Sequence, residues 1–333
     1  MSIPIKKLDE EYLKWYSLRC ARRALLNRLK ITKSDYRNIY ELDNIIGRWT
    51  LTRDNVNSRL KIEMIDGKFV SELVDKRLVS NTEIGRDVLN ILVEKLNTTV
   101  DSLPPDHPSI FDSVAKFKKF VQYLDPALLS RLRSKADDSA IVFMLLRYAR
   151  HISNGMQWSV PSDVLMNLGT FFDVKCECFG SPLNSTMDSF GSLYPDTDAI
   201  FGSVGDFFNQ SLGNGSYTIN PPFIESILNQ CVSKLIYEFK ISEEKKNSLR
   251  VFCFIPEWKD CIAYRQLMNS PLCRYRESLQ RGKYFYLDGN RQIVATFNSS
   301  FFVLTSSQFN KPDDEPPYDV CCHGMKCDNK IIL

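Results

Sequence analysis

The sequence predicts an α/β protein in two parts, a helical N-terminal domain followed by a domain built on a mostly parallel sheet. Up to about residue 155, apolar residues recur at helical spacing. Beyond that point, short apolar runs alternate with helical segments, as is typical of strand–helix–strand units. The closely spaced last runs predict an antiparallel edge. We therefore expect a helical domain over residues 1–155, a sheet domain over 156–310 and a loosely ordered tail, rich in Pro and Asp, over 311–333.

The helical half contains several candidate segments. Helices are predicted between Asp9 and Lys30, around residues 88–96, from Ile110 to Leu124 and from Ser139 to His151. The last of these is apolar almost all round, so it should be the buried one.

The second half contains candidate strands. They are predicted at Phe171–Phe179, Tyr217–Ile219, Leu249–Ile255, Lys283–Leu287, Ile293–Phe297 and Phe301–Thr305, with a helix over Ile224–Phe239. Because ligands bind beyond the carboxyl ends of parallel strands, the residues that follow each strand are the candidates for a site.

Composition narrows the class of protein. The chain has 333 residues, of which 44% are hydrophobic and 25% charged, as in ordinary soluble proteins. No stretch approaches the roughly 20 apolar residues of a membrane span. The first residues lack an apolar core of the signal-peptide type, so we expect a cytoplasmic or nuclear protein, or one in a viral replication compartment, and not a secreted one. The ten cysteines are then best interpreted as reduced thiols.

Positive charge is concentrated near the start of the chain. Residues 1–60 carry 13 Lys/Arg against 7 Asp/Glu, although the whole chain has a net charge of only +3. Arg19, Arg22 and Arg23 lie on the first predicted helix and are candidates for binding an RNA phosphate backbone. A solvated helix face is the alternative interpretation.

Two segments after the first predicted strands have the residue types of a ligand site. The first, Glu177-Cys178-Phe179-Gly180-Ser181-Pro182-Leu183-Asn184, ends a strand in small residues, so its backbone N–H groups can approach a charged ligand. The second runs from Tyr194 to Phe208 and includes Asp196, Asp198, Asp206 and Phe207. Carboxylates there can accept the hydroxyls of a ribose, and aromatic rings can stack on an adenine. Common loops and solvated turn acids are the alternatives.

The most specific signal is Asn220-Pro221-Pro222-Phe223, between a short strand and a long helix. The exocyclic amine of adenine is a poor nucleophile because its lone pair is delocalised into the ring. The Asn220 side-chain oxygen and the Pro221 carbonyl could accept its two hydrogens. The two prolines would hold these acceptors in place, and Phe223 would stack on an extruded base. A structural turn is the alternative.

Together these motifs resemble the cap-specific adenosine N6-methyltransferase family of the phosphorylated-CTD-interacting-factor type. The matching stretches are Glu177–Asn184, Pro195–Asp198, Phe201–Ser203, Asn220–Phe223 and Phe254-Ile255-Pro256-Glu257-Trp258. The resemblance implies a Rossmann-like methyltransferase core with S-adenosylmethionine as methyl donor. It implies that Glu177–Asn184, Asp196, Asp198, Asp206 and Phe207 line the cofactor pocket. It also implies that Asn220–Phe223 hold the target adenine and that Glu257 and Trp258 face the RNA. A position in the core is the alternative for Trp258.

The substrate that the resemblance implies is the 2′-O-methylated adenosine beside the mRNA cap. Methylation of internal RNA or DNA adenine and an inactive RNA-binding relative are the alternatives. The family's WW domain is not expected here, because Trp15 and Trp49 are too far apart, so binding to the polymerase tail is not implied. The family's Gly-Ser-Arg-Gly appears as Gly202-Ser203-Val204-Gly205, without the arginine. No metal site is predicted, because the adjacent Cys321 and Cys322 have no second Cys-x-x-Cys motif to pair with.

Overall fold

The computed structural model describes residues 3–28, 43, 62–65, 68–71, 121–122, 124–149, 157–311 and 315–327. The chain divides into two compact units, Met1–Met156 and Gln157–Leu333. The helix predicted around residues 88–96 and most of the one predicted over 110–124 lie outside the described residues.

In the residues that the structure describes, the first unit contains three helices and a pair of antiparallel strands. Its helices are α1 (Ile5–Arg28), α2 (Pro126–Arg133) and α3 (Asp138–Tyr148), and its strands are β1 (Ile62–Ile65) and β2 (Lys68–Ser71). The antiparallel pairing of β1 with β2 differs from the all-helical expectation. Asp66–Gly67, between the two strands in the sequence, is typical of a tight hairpin turn.

Helix α3 is the buried helix of this unit, as predicted. Every residue from Ala140 to Leu146 is buried, and α1 packs against this helix. The Asp137 carboxylate accepts a hydrogen bond from the Ala140 N–H (2.9 Å), which satisfies a backbone donor at the start of the helix. No helix in the described segments is long and apolar enough to cross a membrane.

The second unit is a mixed α/β structure around a seven-stranded sheet. Its main strands are β3 (Val174–Gly180), β4 (Phe190–Ser192), β5 (Ser203–Gly205), β6 (Gly215–Ile219), β7 (Leu249–Pro256), β8 (Cys273–Leu279) and β11 (Ser299–Thr305), and β9 (Phe285–Asp288) and β10 (Arg291–Val294) form a separate hairpin. The order in the sheet is β5-β4-β3-β6-β7-β11-β8. The first five of these strands are parallel, and β11 runs antiparallel to both neighbours. This confirms the predicted mixed α/β class with a mostly parallel sheet.

Helices cover both faces of the sheet. They are α4 (Ser162–Phe172), α5 (Pro195–Asp198), α6 (Glu225–Lys245) and α7 (Ile262–Met268). Along β7, Val251, Cys253 and Ile255 join the core cluster that includes residues of α6 and α7. Phe252 and Phe254 join the cluster that includes residues of α4. This two-residue alternation is why β7 is apolar from Val251 to Ile255, as expected for a strand that is buried on both faces.

The C-terminal segment differs from the loosely ordered tail that was expected. Residues Tyr318–Val320 and His323–Met325 form short 3-10 helices, and Cys322 and Met325 are fully buried in the α4-side cluster. The Glu315 carboxylate pairs with the buried guanidinium of Arg250 on β7. Pro and Asp content suggested disorder, but the apolar residues from Cys321 to Met325 and this ion pair fix residues 315–327 to the sheet domain.

Gly191 on β4 permits a close approach of two parallel strands. A Cβ atom at this position would lie 2.3 Å from the Cys178 carbonyl oxygen on β3. We expect Gly191→Ala to lower the free energy of unfolding by about 1–3 kcal/mol, because the strands must separate to accept the methyl group. Chemical denaturation measures this. Gly213→Ala is the control, since no atom lies within 4 Å of its added Cβ. Equal unfolding midpoints for the two variants would contradict the prediction.

Candidate active site at the carboxyl edge of the sheet

The predicted site segments lie at one edge of the sheet. The chain passes from β3 outward to β4 and β5 and then returns to β6 on the other side of β3. Such a reversal opens a crevice at the carboxyl ends of the central strands, where ligands bind in open α/β sheets. The candidate segments follow β3, β4, β5, β6 and β7, so the topology brings their first residues to this edge.

A small pocket opens between β3, β6 and the residues before α4. Its lining consists of Trp158, Ser159, Val160, Leu165, Glu177, Phe179, Asn184, Thr218 and Asn220. Four of these were predicted site residues, namely Glu177, Phe179, Asn184 and Asn220. None of the nine is basic, and several present oxygen atoms. The pocket is therefore suited to a ligand group that donates hydrogen bonds or carries positive charge.

Asn220 follows the last residue of β6, and its side-chain amide is held in one orientation. The Nδ2 atom donates to the Trp158 carbonyl (3.3 Å). Because a carbonyl can only accept, this contact assigns the nitrogen and leaves Oδ1 as the other end of the amide. Oδ1 is buried and has no hydrogen-bond partner among the described residues. Oδ1 is therefore a hydrogen-bond acceptor in the pocket to which no described residue donates.

The rest of the tetrapeptide connects β6 to α6. Pro221 is buried, and the Pro222 carbonyl accepts a hydrogen bond from the Ile224 N–H (2.7 Å). The half-buried Phe223 ring contacts Tyr286 and Phe297 edge-to-face, with centroids 5.9 and 5.6 Å apart. The backbone after Asn220 is therefore restrained by both prolines and by aromatic packing.

Trp158, Tyr286 and Phe297 complete an aromatic group beside the pocket. The Trp158 ring lies nearly parallel to Tyr286 and to Phe297, with centroids 6.2 and 6.4 Å apart. Burial raises the pKa of Tyr286 well above its ordinary value, so its hydroxyl is neutral and donates to Ser299 Oγ (3.1 Å). The group offers apolar ring surface next to the Asn220 acceptor.

The loop after β3 is stabilised by its own polar side chains. Glu177 is buried, and its Oε1 atom accepts hydrogen bonds from the N–H groups of Thr186 and Met187, both at 2.6 Å. The hydroxyl of Ser181 lies 2.8 Å from Asn184 Oδ1, and Asn184 Nδ2 donates to the Gln157 carbonyl (3.1 Å). Glu177 and Asn184 thus line the pocket and hold the loop at the same time.

Other residues of the predicted cofactor loops do not line the pocket. Cys178 is buried in the cluster on the α6 side, Gly180 packs against Phe190, and Pro182 and Leu183 belong to the turn that follows. Phe207 is a core residue whose ring contacts Phe179 at a tilt, with centroids 4.9 Å apart. These residues shape the loop, whereas Glu177, Phe179 and Asn184 face the pocket.

The predicted acidic residues lie in different environments. Asp196 is exposed on α5, whereas Asp198 at the end of the same short helix is fully buried. The Asp206 carboxylate accepts a hydrogen bond from the Phe208 N–H (3.0 Å) and begins the 3-10 helix Phe207–Asn209. Asp206 therefore has a local capping role, and Asp196 is the accessible carboxylate of the three.

Glu257 and Trp258 follow β7 at the same edge. Glu257 Oε1 accepts a hydrogen bond from Ser300 Oγ (2.8 Å), which ties the end of β7 to β11. Trp258 is half-buried and packs against the core cluster on the α6 side. This packing agrees with a core position for Trp258, the alternative to an RNA contact.

The three predicted RNA-binding arginines belong to α1, in the first unit. Arg19 and Arg23 are exposed, and the Arg19 guanidinium lies over the Trp15 ring at 4.9 Å. Arg22 Nη2 donates to Asp43 Oδ2 (2.7 Å) within an ion pair. Part of the Arg22 charge is thus compensated, which leaves Arg19 and Arg23 as the accessible positive charges of this group.

Sequence reasoning missed Trp158, Thr218, Tyr286 and Phe297. Thr218 could have been found, because it lies two residues before Asn220, near the end of the predicted strand Tyr217–Ile219, and alternate side chains of a strand share a face. The other three come from distant segments, and no local pattern indicates their contact with the tetrapeptide.

No metal cluster is present in the described part of the chain, where no three His, Cys, Asp or Glu side chains come together to hold an ion. Burial raises the pKa of the Cys321 thiol to about 12.

Comparison with known proteins agrees with the motif pattern. Residues 131–289 match the family described as "Phosphorylated CTD interacting factor 1 WW domain". The chain is 33% identical over 152 residues to an mRNA (2'-O-methyladenosine-N(6)-)-methyltransferase of Mus musculus. It is 32% identical over 152 residues to the protein of that name from Homo sapiens. Each match covers 45% of this chain and 21% of the relative, so the matched part of the chain corresponds to about a fifth of each of those proteins.

The matched segment runs from α2 to β9 and contains the pocket, the Asn220 tetrapeptide and the loops after β3, β4 and β7. It begins well after Trp15 and Trp49, whose separation is the reason that no WW domain was expected. Residues 131–289 are thus similar to the phosphorylated CTD interacting factor family, which confirms the resemblance inferred from the motifs in this segment.

Proposed function

We propose that this chain is an S-adenosylmethionine-dependent methyltransferase that methylates N6 of the cap-adjacent 2′-O-methyladenosine of mRNA. The sheet supports a Rossmann-like core, because the strand order reverses on either side of β3 and the motif residues gather at that point. The helical unit is proposed to assist RNA binding through Arg19 and Arg23.

The observation that carries the proposal is the buried, unpartnered Oδ1 of Asn220, as seen among the described residues. An acceptor in this position can take one N6–H of adenine, which localises the nitrogen lone pair for attack. The Trp158 carbonyl holds the other end of the amide, so Oδ1 need not reorient when the base enters. The half-buried Phe223 and its aromatic neighbours provide ring surface for the extruded base.

The pocket fits the proposed methyl donor on chemical grounds. S-adenosylmethionine carries a sulfonium and an ammonium, and the pocket offers the Glu177 carboxylate with the oxygens of Thr218 and Asn220 and no basic side chain. When bound, it would supply an electrophilic methyl carbon to N6, with the electron pair of the broken C–S bond left on sulfur and the N6 proton released to water. The chain would position the amine, and it would need no strong base, because the proton leaves after the methyl group has been transferred.

The names of the relatives support capped mRNA as the substrate, and this RNA is the partner we propose. Cytoplasm or nucleus is the corresponding location. The family name also refers to a phosphorylated CTD, whereas the spacing of Trp15 and Trp49 did not imply binding to the polymerase tail. Pull-down of the full chain by phosphorylated and unphosphorylated CTD peptides decides that point independently of the chemistry.

Transfer of label from S-adenosylmethionine to RNA tests the substrate. We expect full-length protein to label the first adenosine of a capped, 2′-O-methylated RNA, and to label the same RNA without a cap at least about 10-fold more slowly, since tenfold corresponds to about 1.4 kcal/mol of lost cap contact. Equal labelling of both RNAs would indicate general adenosine methylation. Labelling of DNA alone would indicate a DNA methyltransferase, and binding of RNA without any transfer would indicate an inactive relative.

A further inference from the structure

Thr218 places a second unpartnered oxygen next to Asn220. Its side chain is only 3% exposed, and its Oγ1 atom has no hydrogen-bond partner among the described residues. Thr218, on β6, and Asn220, which directly follows the strand, both line the pocket. In the parallel pairing of β3 with β6, Thr218 lies opposite Glu177, which lines the same pocket.

A buried hydroxyl without a partner is unfavourable, and proteins rarely leave one unless a ligand or water satisfies it. Valine has nearly the same shape as threonine and would fill this strand position without burying a hydroxyl that lacks a hydrogen bond. The hydroxyl faces a pocket whose charged lining residue is a carboxylate and whose other polar atoms are mostly oxygens. The matching ligand group is a cation with several N–H donors.

We propose that Thr218 Oγ1 and the Glu177 carboxylate bind the ammonium of the amino-acid part of the methyl donor. This inference rests on the proposed function. An ammonium has three donors and one positive charge, so it can satisfy Thr218 and interact favourably with Glu177, whose Oε1 already accepts two backbone N–H groups. The donor's own carboxylate would be repelled by Glu177 at this position. Asn220 remains available for the target amine.

Calorimetric titration with two ligands tests the proposal without any turnover. S-adenosylhomocysteine has the amino-acid part, and 5′-methylthioadenosine lacks it but keeps the nucleoside and sulfur. We expect Thr218→Val to weaken binding of S-adenosylhomocysteine about tenfold, because hydrogen bonds to charged groups exceed about 1.4 kcal/mol. Affinity for 5′-methylthioadenosine should change less than about twofold. Thr218→Ser, which keeps the hydroxyl, should retain the affinity for both ligands.

Two further variants make the result specific. Glu177→Gln keeps an acceptor for the loop and removes the charge. Like Thr218→Val, it should weaken the binding of S-adenosylhomocysteine more than the binding of 5′-methylthioadenosine. Thr305→Val removes another buried strand hydroxyl, whose partner is Arg274 Nε (3.0 Å), and should leave both affinities unchanged. Equal losses for both ligands with Thr218→Val, or no loss, would overturn the inference. Wild-type protein that binds neither ligand would instead reject S-adenosylmethionine as the cofactor and hence the proposed function.

Discussion

Asn220→Ala is expected to lower the turnover number of the methyltransferase about 100-fold or more, while the affinity for S-adenosylhomocysteine changes only a few-fold. The variant removes the pocket acceptor Asn220 Oδ1, whose amide is already oriented by the Trp158 carbonyl. Loss of a single preorganised polar group at a reacting centre typically costs about 2.7–4 kcal/mol in the transition state. Because the acceptor acts on the adenine, the methyl donor should still bind.

Single-turnover labelling and calorimetry on the same preparations separate these two effects. Asn214→Ala is the matched control, because Asn214 precedes the opposite end of β6 and its Oδ1 accepts a hydrogen bond from the Ser248 N–H (2.7 Å). This control should keep wild-type turnover. Unchanged turnover in Asn220→Ala would exclude the proposed role of the tetrapeptide. A parallel collapse of ligand binding would indicate a structural role for Asn220.

The sequence predicted those parts of the fold that have a local signal. The apolar run from Leu249 to Ile255 became β7, and the segment around Ile224–Phe239 became α6 with a later end. The predicted strand from Phe171 is wrong at its start, since Phe171 and Phe172 end α4. Asp173 ends that helix in a left-handed conformation with φ 51°, which an aspartate tolerates better than most residues and which the apolar pattern conceals.

Strand β8 was missed because its sequence, CRYRESL, lacks an apolar run. It lies at the edge of the sheet, where alternate side chains such as Arg274 and Arg276 are exposed. An edge strand needs only one partner and one apolar face, so polarity is a poor guide there. The central strand β7 was easier to predict, because burial on both faces makes it apolar from Val251 to Ile255. The short parallel strands β4 and β5 have only three residues each and were missed as well.

For the site, the sequence identified the residues whose chemistry is unusual and missed those that hold them. Asn220 was found because two prolines follow it between a strand and a helix. Trp158 could not be found, because its contribution is a backbone carbonyl that any residue carries. The roles of Glu177 and Phe207 also depend on distant contacts, to the Thr186 N–H and the Phe179 ring. Such contacts follow from tertiary packing and leave no local pattern.

Arg250→Met is expected to have the largest effect on stability, lowering the free energy of unfolding by about 3–5 kcal/mol because it leaves a buried carboxylate without its cation. Arg250 is 3% exposed, and Glu315, its partner, is 9% exposed. The guanidinium also donates to Ser216 Oγ (3.0 Å) and to the Phe172 carbonyl, so it joins β6, β7, the end of α4 and the C-terminal segment.

Hydrogen exchange during mild denaturation distinguishes this ion pair from simple packing. In Arg250→Met, amides over residues 318–325 should lose protection first, because Glu315 no longer holds that segment to the sheet domain. The double variant Arg250→Met/Glu315→Leu should recover much of the stability, since neither charge is then buried alone. Lys240→Met, which removes an exposed pair with Glu244 at 4.0 Å, should have no measurable effect. If the double variant is no more stable than the single one, the ion pair is not what fixes the C-terminal segment, and the apolar contacts of Cys322 and Met325 must hold it instead.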